Sequence, residues 1–187
     1  LSWILRVFLL GILVVVPVAL LEQATGLFVP ETVASFTTVP IIEECGKFLV
    51  VYLTIFRNRE FSEPVDGIVY AVAAALGFAT FENILYVATS YETSLASAIS
   101  TGVIRALLSV PAHALFAGMW GYALGQAKFR SGGSMVVFGG LGLAILFHGL
   151  FNLLLSIFFG FALLIVVLVP VMWRAMNWRI EEALGWQ

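Results

Sequence analysis

Apolar residues run along this chain in long blocks, and short polar or charged clusters separate them. The first block covers 2–21. A connector at 22–33, with Glu22, Pro30 and Glu31, leads to a second block at 35–56. Charge and proline break the pattern at 57–64, and Asp66 is placed to cap a third helix over 67–89. The polar link 90–93 precedes a long fourth helix over 96–127, which contains Arg105, Pro111 and His113. A basic, glycine-rich turn at 128–134 follows. Residues 135–173 are then almost wholly apolar, long enough for two crossings at about 20 residues each, with their turn expected near 156–160. The tail 174–187 interleaves Trp178 and Trp186 with charges and reads as an interfacial segment.

Blocks of this length predict membrane spans. Composition agrees: 61% of the 187 residues are hydrophobic and 11% charged, with mean hydropathy +1.06, against about 25% charged in soluble domains. The expected fold class is therefore all-α, a polytopic membrane helix bundle of about six transmembrane helices forming a single domain over 1–187. A cleaved signal peptide has an apolar core of about 7–15 residues; the first block is longer and no small-residue cleavage site follows, so it reads as a retained span. The chain begins at Leu1 rather than Met, as expected of a trimmed chain. Arg6, Arg57, Arg59, Lys128, Arg130, Arg174 and Arg179 all fall on one side when six spans are threaded from an inside N-terminus, which places both termini in the cytoplasm. A net charge of -2 without basic runs excludes nucleic acid as a partner. The lone Cys45 permits no internal disulfide and reads as a small apolar filler.

Threading leaves several ionisable groups inside the bilayer, where each needs a partner or a water-filled cavity. Glu44, Glu82, His113 and His148 come from four different helices, about 12 to 15 residues above the cytoplasmic edge, or about 18 to 22 Å at 1.5 Å per residue. Both histidines of the chain belong to this layer, in the outer half of the membrane, so convergence on one cavity is expected. Residues three or four apart share a helix face. Lys47 can thus pair with Glu43 or Glu44, Tyr86 stands one turn from Glu82, and Asn152 stands one turn from His148. Lys47 reads as a structural counter-charge, and Arg105 as either a structural residue or one snorkelling toward the outer face. Ala114, Gly118, Gly121 and Gly125 form small-residue rows of the kind that let membrane helices approach closely.

Two carboxylates, two imidazoles, a phenol and an amide suit three chemistries. One is peptide hydrolysis, with a carboxylate as general base and imidazole or amide donors on the oxyanion. Another is a Zn2+ site built from His113, His148, Glu44 and Glu82 with water in the open position. The third is a proton or ion relay in a transporter or channel, which calls for a polar path across the bilayer. Below the layer the helices offer little polar lining, and that disfavours the relay.

The motifs narrow the choice. Glu43-Glu44-Cys45-Gly46-Lys47 resembles the E-E-x-x-K motif of the PrsW family of intramembrane proteases, and Phe81-Glu82-Asn83-Ile84-Leu85-Tyr86 resembles its F-E-x-x-x-Y motif. His148-Gly149-Leu150-Phe151-Asn152 is similar to the third motif, although Asp is more usual where this chain has Asn152; His and Asn at that spacing are the pattern of the related CAAX prenyl endopeptidases. The resemblance covers 41–153. It implies an intramembrane endopeptidase of a prokaryotic plasma membrane, acting on membrane-anchored or membrane-proximal proteins, regulatory ones such as anti-sigma factors among them. It also implies that the water-activating base comes from Glu43 and Glu44, with Glu82, His113 and His148 completing the site. Asn152 would donate to the oxyanion or orient His148, while Lys47 and Tyr86 support. Metal-dependent and glutamate-dependent mechanisms both stay open, as does the oligomeric state.

Overall fold

The computed structural model describes residues 2–130, 133–157 and 162–185. The expected turn at 156–160, part of the glycine-rich turn, and Trp186 lie in whole or part outside them. Among the described residues all regular structure is helical: α1 (Ser2–Gly26), a short α2 (Glu31–Ala34), α3 (Thr38–Thr54), α4 (Pro64–Tyr91), α5 (Leu95–Ile104), α6 (Val110–Phe129), α7 (Gly133–Ile157) and α8 (Ala162–Leu184). A π-helical turn, Arg105–Ser109, joins α5 to α6 without a break in the rod.

The apolar blocks became helices because hydrocarbon solvates no backbone N–H or C=O, so a spanning segment must pair those groups within itself. Among the described residues four helices are long and apolar enough to cross a membrane: Ser2–Gly26, Pro64–Tyr91, Leu95–Phe129 and Gly133–Ser156. The chain is thus an all-α polytopic bundle. At 17 residues, α3 sits at the lower limit of a straight crossing.

Two expectations change at helix ends. The connector drawn at 22–33 is helical through Gly26, so Glu22 belongs to α1. Asp66 is not the N-cap of α4. Glu63 holds that position, and Asp66 turns back to accept hydrogen bonds from the backbone N–H groups of Ser62 (2.7 Å) and Glu63 (2.9 Å). That reciprocal arrangement satisfies donors the first helical turn leaves orphaned.

At the centre, α4 packs between α1 and α6, and α7 lies against α6 and α3. Small residues set the spacing. A Cβ at Gly67 would collide with the Gly121 carbonyl and the Gly125 nitrogen, and one at Gly121 would meet Ala71 and the Gly67 carbonyl. Backbones therefore touch where α4 crosses α6, as small-residue rows permit. Gly67→Val is expected to force these helices apart and to cost at least the roughly 1–3 kcal/mol typical of overpacking. Thermal unfolding in detergent reads this out, and an unchanged midpoint would remove the close approach from the account.

The basic connectors collect at one end. Lys128, at the end of α6, donates to the carbonyls of Phe56 (2.6 Å), Asn58 (3.3 Å) and Phe61 (2.7 Å), which follow α3. It thereby ties the end of α6 to the connector between α3 and α4. Arg130 reaches Glu182 on α8, whose carboxylate also accepts from the Tyr122 hydroxyl at 2.7 Å. Residues 174–184 thus continue α8 and pack on α6, burying Met176 and Ala183.

Candidate active site

α3 brings the acidic pair into the core. Glu43 and Glu44 are adjacent, about 100° apart around the helix, so they face different surroundings. Glu44 is fully buried and does not line the cavity; its Oε1 accepts from Lys47 Nζ (2.6 Å) and His148 Nδ1 (2.9 Å), and its Oε2 from Trp120 Nε1 (3.1 Å). Glu43 faces a cavity of about 570 Å³ enclosed by α1, α2, α4, α6, α7 and the π-helical turn. Its Oε2 makes no hydrogen bond. Lys47 Nζ is 3.5 Å away, His113 Nδ1 3.9 Å and His148 Nε2 4.0 Å.

Each imidazole is held from behind by a carboxylate. His113, on α6, sets Nε2 3.0 Å from Glu82 Oε2. His148, on α7, sets Nδ1 2.9 Å from Glu44 Oε1. An ionised carboxylate only accepts, so the ring nitrogen facing it carries the proton. The opposite nitrogens are therefore unprotonated: His148 Nε2 faces Glu43, and His113 Nδ1 accepts from Lys47 Nζ at 3.1 Å with Glu43 Oε2 beyond it at 3.9 Å. The rings lie 5.2 Å apart, and Phe116 stacks on His148 at 4.8 Å, fixing its plane.

The layer inferred from threading is thus one site. Glu43, Glu44, Glu82, His113 and His148 converge, and Lys47 touches both glutamates of its own helix. Tyr86 lines the cavity but is half exposed, its ring lying under the Arg105 guanidinium. Asn152 also lines the cavity, yet its Nδ2 donates to the Ser35 carbonyl (2.9 Å) and ties α7 to the α2–α3 link. Arg105 does not snorkel away. It turns inward to Glu82, with Nη2 2.8 Å from Oε2, and to Asn83, with Nε 2.7 Å from Oδ1.

Sequence reasoning missed Trp120, Asn83 and Glu22. Trp120 follows His113 by seven residues, two turns on one face, a spacing that marks it as a neighbour of the same layer. Asn83 lies inside a quoted motif without a role of its own. Glu22 was hidden by ending the first helix too early; it lines the cavity, with Oε1 buried and unpaired.

The donor set fits a metal ion. Glu43, His113 and His148 each offer a ligand atom, all within 4.8 Å of one another and all buried. Two histidines and a carboxylate with an open position are a catalytic zinc set, and the carboxylate behind each ring is the support such ligands use. The expected set named Glu44 and Glu82 beside the histidines; the ligand atoms that lie together are those of Glu43, His113 and His148, while Glu44 is engaged by Lys47, Trp120 and His148, and Glu82 by His113 and Arg105.

A family model described as PrsW family intramembrane metalloprotease matches residues 1–175. Protease PrsW of Geobacillus kaustophilus (strain HTA426) is 42% identical over 132 residues, covering 69% of this chain and 56% of that protein. Protease PrsW of Oceanobacillus iheyensis is 32% identical over 187 residues, 96% of this chain and 82% of the relative. That of Clostridioides difficile (strain 630) is 33% identical over 189 residues, 96% and 78%. No solved structure matches the chain. Four apolar helices, a buried Glu/His site and these matches agree: the chain belongs to the PrsW family of intramembrane metalloproteases.

Proposed function

We propose that the chain is a multi-pass endopeptidase of a bacterial plasma membrane, with both termini cytoplasmic, which hydrolyses peptide bonds of membrane-anchored or membrane-proximal proteins at Glu43, His113 and His148. The observation that carries this reading is the unpaired Glu43 Oε2, buried at the cavity wall with a ring nitrogen of each histidine beside it. A buried carboxylate oxygen without a donor is costly, and a reacting water or a cation compensates it.

His113 Nδ1, His148 Nε2 and Glu43 would hold the metal. When bound, such an ion polarises the scissile carbonyl and acidifies water. The chain's own residues do the rest. With no ion bound, Glu43 would instead be the general base that takes the attacking water's proton. Glu82 and Glu44 hold the imidazoles in the tautomers that aim their lone pairs inward. Lys47 and Trp120 fix Glu44, so it stays behind the wall while Glu43 faces the substrate. Phe78, Phe116 and Phe151 line the cavity with apolar surface, which strengthens the electrostatics within it. A transporter would need a polar route past these rings, and the polar groups gather instead at one depth.

Zinc chelation is the direct test. Protein purified in detergent is expected to carry zinc, to lose cleavage of a single-pass reporter when a chelator strips it, and to regain cleavage when zinc returns. His113→Ala and His148→Ala should each lose the metal. Full activity in demonstrably zinc-free protein would sink the metal role and leave Glu43 as the base of a metal-independent site. Absence of cleavage by the intact, folded, metal-replete protein across single-pass reporters would sink the protease reading itself.

A further inference from the structure

The rod Leu95–Phe129 carries an irregularity that the reaction, as drawn so far, does not use. Over Arg105–Ser109 the helix is π-helical, and the Val110 N–H bonds to the Arg105 carbonyl, five residues back. Pro111 supplies the local cause. It has no N–H, and its ring crowds the carbonyl four residues earlier, so a widened turn just before it relieves the clash. Bulges of this kind are enriched at functional sites.

The consequence is angular. In a regular helix eight residues turn through about 800°, leaving the second side chain about 80° off the face of the first. A π-helical turn absorbs one residue, so Arg105 and His113 stand about two full turns apart and share a face. Both reach the same atom: Arg105 Nη2 lies 2.8 Å from Glu82 Oε2, and His113 Nε2 lies 3.0 Å from it. Without the widened turn Arg105 would project to one side of that carboxylate.

The guanidinium is fixed on three sides. Nε donates to Asn83 Oδ1 at 2.7 Å, Nη2 meets Glu82, and the Tyr86 ring lies beneath the plane at 3.8 Å from its centroid. Partners for edge, end and face suit arginine's planar fork and do not suit lysine's point charge. Little solvent competes, since the Arg105 and Glu82 side chains are 17% and 14% exposed.

We propose that Arg105 is a positioning residue for the hydrolytic site: the π-helical turn delivers it to Glu82, and it holds that carboxylate so that His113 keeps its proton on Nε2 and leaves Nδ1 unprotonated beside Lys47 Nζ (3.1 Å) and Glu43 Oε2 (3.9 Å). This rests on the protease reading for its kinetic consequence only. Its structural content concerns the state of one imidazole and stands apart from cleavage.

The experiment uses the full chain labelled with nitrogen-15 histidine. The chain has only two histidines, so their ring signals are assigned by single replacements. In metal-free wild type, His113 is expected as the Nε2–H tautomer. In Arg105→Gln its ring shifts should move toward a tautomer mixture, while those of His148 stay. Kinetically, kcat on a single-pass reporter should fall about 10- to 100-fold, the range for loss of supporting hydrogen bonds around such ligands, with KM unchanged. Glu82→Gln should give a similar loss, and the double variant should be no worse than the poorer single one, because both act through one carboxylate. Arg105→Lys keeps the charge and should not restore kcat; it also serves if the glutamine variant fails to fold. Unmoved His113 signals with wild-type kcat, or losses that multiply in the double variant, would overturn the proposal. Where no variant or wild type cleaves any reporter, the protease reading fails, and the histidine spectra still decide the role of Arg105.

Discussion

Glu43→Gln is expected to abolish cleavage, by about 10²- to 10⁴-fold if only general-base action is lost, while the protein unfolds at or above the wild-type temperature. The reason is the solvation of this one side chain. Glu43 is 4% exposed, its Oε2 has no hydrogen-bond donor, and Lys47 lies closer to Glu44. A neutral amide of the same shape removes a buried, poorly compensated charge, so folding has little to lose. Its neighbour should behave in the opposite way. Glu44→Gln removes the charge that Lys47 approaches to 2.6 Å and puts an NH₂ group against either the Trp120 or the His148 donor. Breaking such a buried pair costs about 3–5 kcal/mol. Kinetics paired with thermal unfolding of both variants measures the contrast. A folded Glu43→Gln protein with wild-type turnover would remove Glu43 from the chemistry. A Glu44→Gln protein as stable as wild type would mean that the two adjacent carboxylates have been assigned in the wrong order.

That assignment also marks how far the sequence could be read. Membrane spans follow from apolar block length, since each helix satisfies its own backbone wherever it packs; α1, α4, the α5–α6 rod and α7 were therefore readable directly. The layer of ionisable groups was readable because depth depends only on rise per residue, and it brought Glu44, Glu82, His113 and His148 together correctly. Which of two adjacent glutamates faces a cavity depends instead on helix rotation, set by packing against α6 and α7. Spacing carries no record of that. The snorkelling alternative for Arg105 failed for a related reason. Counted along a regular helix it falls off the His113 face, and only a widened turn, whose local cause is Pro111, returns it. Asn152 illustrates a third limit: its place one turn from His148 was right, but its amide is bound to Ser35, on a segment far away in the chain.

Lys47→Met is expected to be the most destabilising single replacement at the site, because the ammonium is the only cation in contact with Glu43 and Glu44 among the described residues. It is fully buried, 2.6 Å from Glu44 Oε1, 3.5 Å from Glu43 Oε2 and 3.1 Å from His113 Nδ1, with Phe78 4.8 Å away on its other side. Removing one partner of a buried ion pair costs about 3–5 kcal/mol, since the remaining charge stays desolvated without compensation. Here two carboxylates are stranded on one helix, so a value at the upper end is expected. A domain of this size has about 5–15 kcal/mol in total, and the variant should therefore unfold at a clearly lower temperature or express poorly. The same reasoning predicts a rescue. In Lys47→Met with Glu44→Gln, charge and counter-charge leave together, and replacing both members of a buried pair is often close to neutral. The double variant should thus be more stable than Lys47→Met alone. Activity should stay low, because His148 loses the anionic carboxylate that holds its Nδ1 proton. Unfolding midpoints of the single and double variants complete the cycle. Additive losses would show that Lys47 contributes by filling space, and the account of it as the counter-charge of the acidic pair would fall.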